Sequence, residues 1–245
     1  MTTTILDRGG GTTLWLQIAA QLEKQILGGQ WKPGERLPTE HDLADEFSVN
    51  RHTARRAVAA LSERGLVRVE QGRGTFVQES VIDYRIGRRT RFSENLSSQN
   101  RHPSGSLLRA VSIPAEEPVA RALGLRKGSP VIVIECLGEA DGRPINVSSH
   151  YFSKARFPDL ATYFRETGSI TKALAKSGVA DYARKSTKVT ARPARASDAR
   201  LLGQPTSRPI LMTEAINIDA TGQPIEYSVA RWASDRVQMV FEPGA

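Results

Sequence analysis

Cysteine is almost absent from this chain, with Cys136 alone among 245 residues. A single thiol excludes an internal disulfide framework and favours a reducing compartment. Cys136 lies in an apolar run and reads as a small core residue rather than a nucleophile. Apolar runs long enough to span a bilayer are missing too, and residues 1–11 are rich in Thr and Gly rather than built like a signal peptide. No membrane partner and a cytoplasmic location are therefore expected. The four histidines, 41, 52, 102 and 150, are scattered and have no ligand spacing with Cys136. No nucleophile elbow, phosphate-binding loop or dinucleotide fingerprint occurs, and Gly72-Arg73-Gly74 lies in a hairpin turn, not after a buried strand. These absences leave no catalytic residue, metal or cofactor to nominate, and the chain does not read as an enzyme.

What is present is charge, unevenly placed. The net charge is +8, yet residues 1–80 hold ten basic and ten acidic side chains, while residues 81–245 hold 24 and 16. The excess thus lies in the second part, where it suits either an anionic ligand or solubility. The length fits one large or two ordinary domains, either able to bury a core.

The pattern is densest over 36–77. Thr39 can N-cap a helix with Asp42 as its capping-box partner, and Leu43, Ala44 and Phe47 form that helix's apolar side. Ser48-Val49-Asn50 makes a turn, and Asn50 can cap a second helix in which Ala54, Val58 and Leu61 face a core. Arg51, His52, Arg55 and Arg56 lie off that stripe. Gly65 stops the helix, Leu66–Glu70 alternates as a strand, Gln71-Gly72-Arg73-Gly74 turns, and Thr75–Val77 returns. Upstream, Leu14–Leu27 is a helix with Ile18, Leu22 and Ile26 on one stripe. Residues 51–73 carry six Arg against two Glu, whereas residues 35–46 carry five acidic residues against Arg36. A winged helix-turn-helix with a cationic second helix and wing follows, the layout that enters a DNA major groove.

The stretch PGERLPTEHDLADEFSVNRHTARRAVAALSERGLVRVEQGRGTFV resembles the DNA-binding domain of GntR-family bacterial transcription regulators along its length. The resemblance implies that Arg36, Asn50, Arg51, Thr53, Arg55, Gln71, Gly72 and Arg73 contact an operator. His41 stands where family members often carry Arg.

The remainder repeats itself. At an offset of 79, eight of the 27 residues from 109–135 are identical in the second copy, among them Pro114-Ala115, Leu123-Gly124, Pro130 and Glu135. With one extra residue, Gly142, Pro144, Ile145 and Ser148 then match Gly222, Pro224, Ile225 and Ser228. Each copy reads as strand, short helix, long strand, turn and long strand, predicting a duplicated, pseudo-two-fold domain on one antiparallel sheet. A helix precedes each copy, Ser93–Gln99 and Ser169–Lys176. Their starts offer free N–H groups and hydroxyls suited to a phosphate, phosphonate or carboxylate. Arg91 can neutralise such an anion. Ser93, Ser169 and Thr171 are equally well explained as ordinary helix caps, the arginine-rich run 85–91 as a solvated connector, and His150 as a satisfied strand residue.

Residues 88–241 are similar to the effector-sensing domain of the HutC branch of that family, a domain related in fold to chorismate lyase. RRTRFSENL, EADGRPINVSSHYF, SITKAL and GQPIEYSVARWASDRVQMVF are similar to regulators of phosphonate uptake and breakdown. The resemblance implies a ligand near Arg91, Phe92, Ser93, Ser169 and Thr171, with His150, Glu226 and Trp232 lining its site. Amino-sugar-phosphate regulators of this branch carry an arginine pair where this chain has Cys136 and Gly138. Arg91 or Arg184 would then supply the charge.

The expectation is an α+β chain. A disordered stretch at 1–11 precedes a winged helix-turn-helix at 12–78, a linker at 79–87, and an effector-binding and dimerisation domain at 88–241. Its partners would be a palindromic double-stranded operator, a second copy of the chain, and a small anion such as phosphate, a phosphonate or a sugar phosphate. As a regulator it would act as a repressor. The competing readings are a chorismate-lyase-like enzyme tethered to DNA, a regulator of amino-sugar or histidine-type catabolism, and a constitutive DNA-binding protein whose second domain only dimerises.

Overall fold

The computed structural model describes residues 13–78 and 81–242; the stretch at 1–11 expected to be disordered lies outside them. Two compact units divide between Ser80 and Val81.

In the first unit, α1 (Leu14–Leu27), α2 (Glu40–Glu46) and α3 (Arg51–Glu63) precede a hairpin of β1 (Val67–Glu70) and β2 (Gly74–Val77). The caps anticipated from the sequence form. Thr39 and Asp42 exchange both capping-box hydrogen bonds, and Asn50 Oδ1 accepts from Thr53 N–H at 2.8 Å. Gly65 takes φ +69° just past α3, a conformation that costs a side chain with a Cβ about 1–2 kcal/mol. Ile18, Leu22, Leu43, Ala54, Val58, Leu61, Val67 and Val77 close one core. Full burial of each large aliphatic side chain there is worth about 1.5–3 kcal/mol.

The second unit is built on six antiparallel strands: β4 (Pro103–Pro114), β5 (Pro130–Ala140), β6 (Arg143–Ser153), β7 (Ala183–Arg192), β8 (Ile210–Ile218) and β9 (Pro224–Ala233). Their spatial order, β4-β5-β6-β9-β8-β7, is the palindrome that two copies of one unit produce when joined through their last strands. Short helices α5 (Glu117–Leu123) and α8 (Ala196–Leu201) sit between the first two strands of each copy. The ladders match residue for residue. Arg109 faces Glu135 in one copy and Lys188 faces Glu214 in the other. Each long hairpin carries one register shift, after Gly138 and after Asn217, which are equivalent at the offset of 79. At the centre Ser149 pairs with Val229, its own counterpart at an offset of 80, so the pseudo-two-fold axis passes through that pair.

Helices α4 (Phe92–Ser97), α6 (Leu160–Thr167) and α7 (Ile170–Lys176) complete the unit. Phe152, Phe157, Leu160, Phe164 and Leu174 join Ile132 and Ile134 of β5 in one core. Val119, Ala120 and Leu123 of α5 join Val131 and Val133, so alternate residues of β5 serve two different cores.

The sequence expectation needs two corrections here. The linker predicted over 79–87 contains a strand, β3 (Ile82–Arg85), which pairs in parallel with β10 (Val237–Val240). Ile82 and Tyr84 alternate inward and are buried with Leu96, Trp232 and Val237, so this segment belongs to the second unit. Four residues are too few for a period to stand out, and the pairing partner lies over 150 residues away. Helix α4 also begins one residue earlier than predicted, with Arg91 at the N-cap and no side-chain cap. Ser93 is therefore inside the helix and does not cap it.

Candidate nucleic-acid interface and ligand cavity

Helix α3 presents Arg51, His52, Arg55 and Arg56 to solvent while Ala54, Ala57, Val58 and Leu61 are buried. The cationic surface is less open than the count of arginines suggests. Arg51 pairs with Glu40 at 3.2 Å, Arg64 with Glu23 at 2.6 Å, and both Arg68 and Arg73 with Glu70 at 3.0 and 2.6 Å. Arg56 is turned back over the Trp15 ring of α1, 4.5 Å from its centroid. That stacking takes its guanidinium toward the core helix, because an arginine finds a better neighbour in an aromatic face than in water. Arg55 has no acidic partner among the described residues and lies 3.2 Å from His52 Nδ1. Thr53 donates its N–H and hydroxyl to Asn50, at 2.8 and 3.0 Å, so these two side chains already order the turn. His41 is exposed beside Asp45 at 3.7 Å.

The hairpin forms a wing whose tip, Gln71, Gly72 and Arg73, is exposed, with Gly72 at φ +75°. Arg36 lies along its base: a Cβ on Gly74 would come within 2.6 Å of Arg36 Nε. Gly74, which also has φ +118°, is what lets the guanidinium rest there.

The second unit carries a partly open cavity of about 830 Å³. All nine residues nominated for a ligand line it: Arg91, Phe92, Ser93, His150, Ser169, Thr171, Arg184, Glu226 and Trp232. The starts of α4 and α7 thus open on one space. Proximity to the cavity does not leave every side chain free. Arg91 is buried, stacks 3.4 Å above the Tyr182 ring centroid, and donates to Tyr182 O at 2.6 Å and Asp181 at 3.3 Å. Ser169 accepts from Lys172 N–H as the cap of α7, and Thr171 shares a hydrogen bond with the Tyr182 hydroxyl at 2.9 Å. Trp232 Nε1 donates to Thr213 at 3.0 Å, and its ring packs on Tyr84.

On the floor, β6, β7, β8 and β9 together hold a connected polar network. Glu226 is buried, accepts from Asn217 Nδ2, and meets His150 Nδ1 at 2.5 Å. Arg184 Nε donates to Asn217 Oδ1 at 2.7 Å, while His150 Nε2 meets Ser148 Oγ at 2.9 Å. Burial alone would raise the Glu226 pKa, but the hydrogen bond and charge of His150, the charge of Arg184 and the bond from Asn217 hold it below the usual carboxylate value. Both ring nitrogens of His150 are engaged, so its clearest task in this structure is to orient Glu226. Burial pushes the Cys136 thiol up to about 12, with the charges of Glu135 and Glu226 adding to the effect. The thiol stays protonated, and no thiolate is available there.

Among the described residues no group of three or more His, Cys, Asp or Glu could hold a metal ion, and no helix is long and apolar enough to cross a membrane.

Residues 14–77 match the gntR family of bacterial regulatory proteins, and residues 98–238 match the UTRA domain. The chain belongs to the GntR family, HutC type. A GntR helix-turn-helix binds DNA, and a UTRA domain binds a small-molecule effector, so this protein is a transcriptional regulator of that type. It is 40% identical to an HTH-type transcriptional regulator of Rhizobium meliloti (strain 1021) over 99% of this chain and 100% of the relative. It is also 35% identical to a protein of Escherichia coli (strain K12) named Probable transcriptional regulator PhnF, over 94% of this chain and 95% of that one. In fold it is similar to the crystal structure of PhnF from Mycobacterium smegmatis, with a TM-score of 0.66 and 24% identity, over 93% of this chain and 99% of that one.

Sequence reasoning missed several residues that this regulator places at its cavity, chiefly Asn146, Asn217, Tyr182 and Thr213. For Asn146 a signal existed. The offset of 80 that aligns Ile145 with Ile225 also aligns Asn146 with Glu226. Tyr182 carried none, since its place at the cavity comes from tertiary contacts, the stacking of Arg91 on its ring and its hydroxyl's bond to Thr171.

Proposed function

We propose that this regulator is a homodimeric repressor of genes for phosphonate or phosphate uptake or catabolism, re-tuned or released by a small anionic effector. The observation that carries the reading is the single cavity of about 830 Å³ onto which both helix starts open, with Arg91 and Arg184 in its wall. Backbone N–H groups and guanidinium groups together favour a compact anion. The similarity of RRTRFSENL and SITKAL to phosphonate regulators supports the same class. On the DNA side, Arg55 is exposed and without an acidic partner among the described residues, which suits it to reading a base edge. A homodimer fits because one recognition helix reads one half-site, and a two-fold pair reads a palindrome.

An effector acts by binding two conformations with unequal affinity. The test is operator binding by fluorescence anisotropy with millimolar phosphate, methylphosphonate or 2-aminoethylphosphonate, at matched ionic strength because salt alone weakens DNA binding. A shift with one anion and none with a neutral solute supports the reading. No shift with any anion removes it. Arg55→Ala should weaken specific operator binding by about 1–3 kcal/mol and relax base preference; unchanged affinity and preference would take Arg55 out of the readout.

A further inference from the structure

The two copies of the repeat put equivalent rows of residues on the cavity floor, and one row is incomplete. Across β7, β8 and β9 the row reads Arg184, Asn217, Glu226. Across β4, β5 and β6 the same row reads Gly105, Gly138, Asn146. In the first case every side chain has a hydrogen-bonding neighbour in its own row. In the second, the neighbour of Asn146 is a glycine. Asn146 is only 4% exposed, it lines the cavity, and its Oδ1 is buried without a hydrogen-bond partner. A native protein rarely leaves a buried amide carbonyl unmatched, since the group gives up its hydrogen bonds to water and gains none in return.

Packing does not explain the glycine as a mere gap. A Cβ at Gly138 would fall 2.3 Å from Asn146 Oδ1 and 2.9 Å from the tip of Phe92. The absent side chain is what allows the amide and the ring at the start of α4 to share that space. The result is a buried amide, unpaired at its carbonyl, beside an aromatic wall of Phe92 and Trp232, whose centroids lie 6.5 Å apart. Nothing charged occupies this row, whereas the opposite row holds Arg184 and Glu226.

We propose that Asn146 is the specificity-determining residue of the cavity, its side-chain carbonyl accepting a hydrogen bond from an N–H or O–H group on the effector. The effector is then an anion that carries an amine or hydroxyl substituent, not a bare oxyanion. The amide reaches the substituent by rotation about its Cβ–Cγ bond, which exchanges its buried and cavity-facing edges. Gly138 serves as the space in which that rotation happens. This inference rests on the anion-effector reading above and adds the second recognition element.

The test is calorimetric titration of the full chain with phosphate, ethylphosphonate, 2-hydroxyethylphosphonate and 2-aminoethylphosphonate. The last three differ only in the terminal group. The wild type should bind one or both donor-bearing probes about tenfold more tightly than ethylphosphonate, a difference of about 1.4 kcal/mol. Asn146→Ala and the similar-sized Asn146→Leu should bring that ratio close to one while ethylphosphonate affinity changes little. Two variants guard against loss of folding, which ligand-free thermal unfolding reports. If the anions bind and the wild type shows no preference, or a folded variant keeps it, Asn146 is not the determinant and the anion-effector reading stands. If no anion binds, both fall together. The hydroxyl and amine arms identify which donor the carbonyl takes.

Discussion

The two copies of the repeated unit share a backbone and part company on the face they turn to the cavity. Their ladders keep the same register and the same hairpin irregularity, because register follows from which residues alternate inward and from the turn that joins the strands. Side chains on the inward face are bound by a looser rule: a buried polar group must find a partner. The second copy meets it with a chain of hydrogen bonds from Arg184 through Asn217 to Glu226 and on to His150. The first copy removes most of the polar groups, with glycine at two of three positions, and leaves the Asn146 carbonyl unpaired. A symmetric scaffold thereby carries a polarised cavity floor, with charged residues in one row and none in the other.

The comparison is broken most forcefully at Glu226. Replacing it by Ala strips His150 and Asn217 of their shared acceptor and leaves Arg184 without its nearby negative charge, and should cost about 3–5 kcal/mol in urea denaturation. Asn146→Ala, at the equivalent position, should cost no more than about 1 kcal/mol. Equal losses would mean that the two rows differ in composition and not in coupling.

Making the first row resemble the second should fail by a smaller margin. Gly138→Asn would drive a Cβ against Asn146 and Phe92 and should destabilise by about 1–3 kcal/mol in thermal unfolding. The reverse change, Asn217→Gly, deletes the bonds to Glu226 and Arg184 and should cost a similar amount. A neutral Gly138→Asn would show that the first row has room to spare.

Acid sharpens the contrast further. The Glu226 pKa is depressed in the folded protein relative to its ordinary value of 4.5. Its contribution to stability is therefore present in full above that value and is lost as pH falls through the folded pKa. Denaturation midpoints measured from about pH 6 to about pH 3 should fall less steeply in Glu226→Gln than in the wild type. Parallel curves would remove Glu226 from the acid response.

The smallest effect concerns Cys136, on the neutral side. With its pKa pushed up to about 12, it should react with a disulfide reagent at neutral pH far more slowly than a free thiol, and at the free-thiol rate once the chain is denatured. Fast reaction in the native state would mean that the neutral half is solvated and its thiol activated.

Local chemistry was readable from the chain wherever it was sufficient by itself. The capping box of Thr39 and Asp42, the Asn50 cap and the apolar stripe of α3 each need only residues a few places apart, and each forms. The repeat was readable as well, since identical residues at a constant spacing survive whatever the chain does in space. Strand β3 was not, because its partner β10 comes from the far end of the unit and four alternating residues look like any connector. The state of the arginines was equally hidden. A count of six between residues 51 and 73 suggested a broad positive surface, but Glu23, Glu40, Glu70 and the Trp15 ring engage five of them.

The sequence by itself determined the family, the two-part organisation, the duplication and the identity of nine residues that line the cavity. These rest on residue order and periodicity, which carry through folding unchanged. Tertiary structure alone decided which of those side chains are already committed, as Arg91 is to Tyr182, and brought in beside them a residue outside the nine, Asn146, whose buried carbonyl is left unpaired. Hydrogen-bond partners come from strands and helices far apart in the chain. A polar group's freedom is therefore a property of what surrounds it in space, and no local pattern records it.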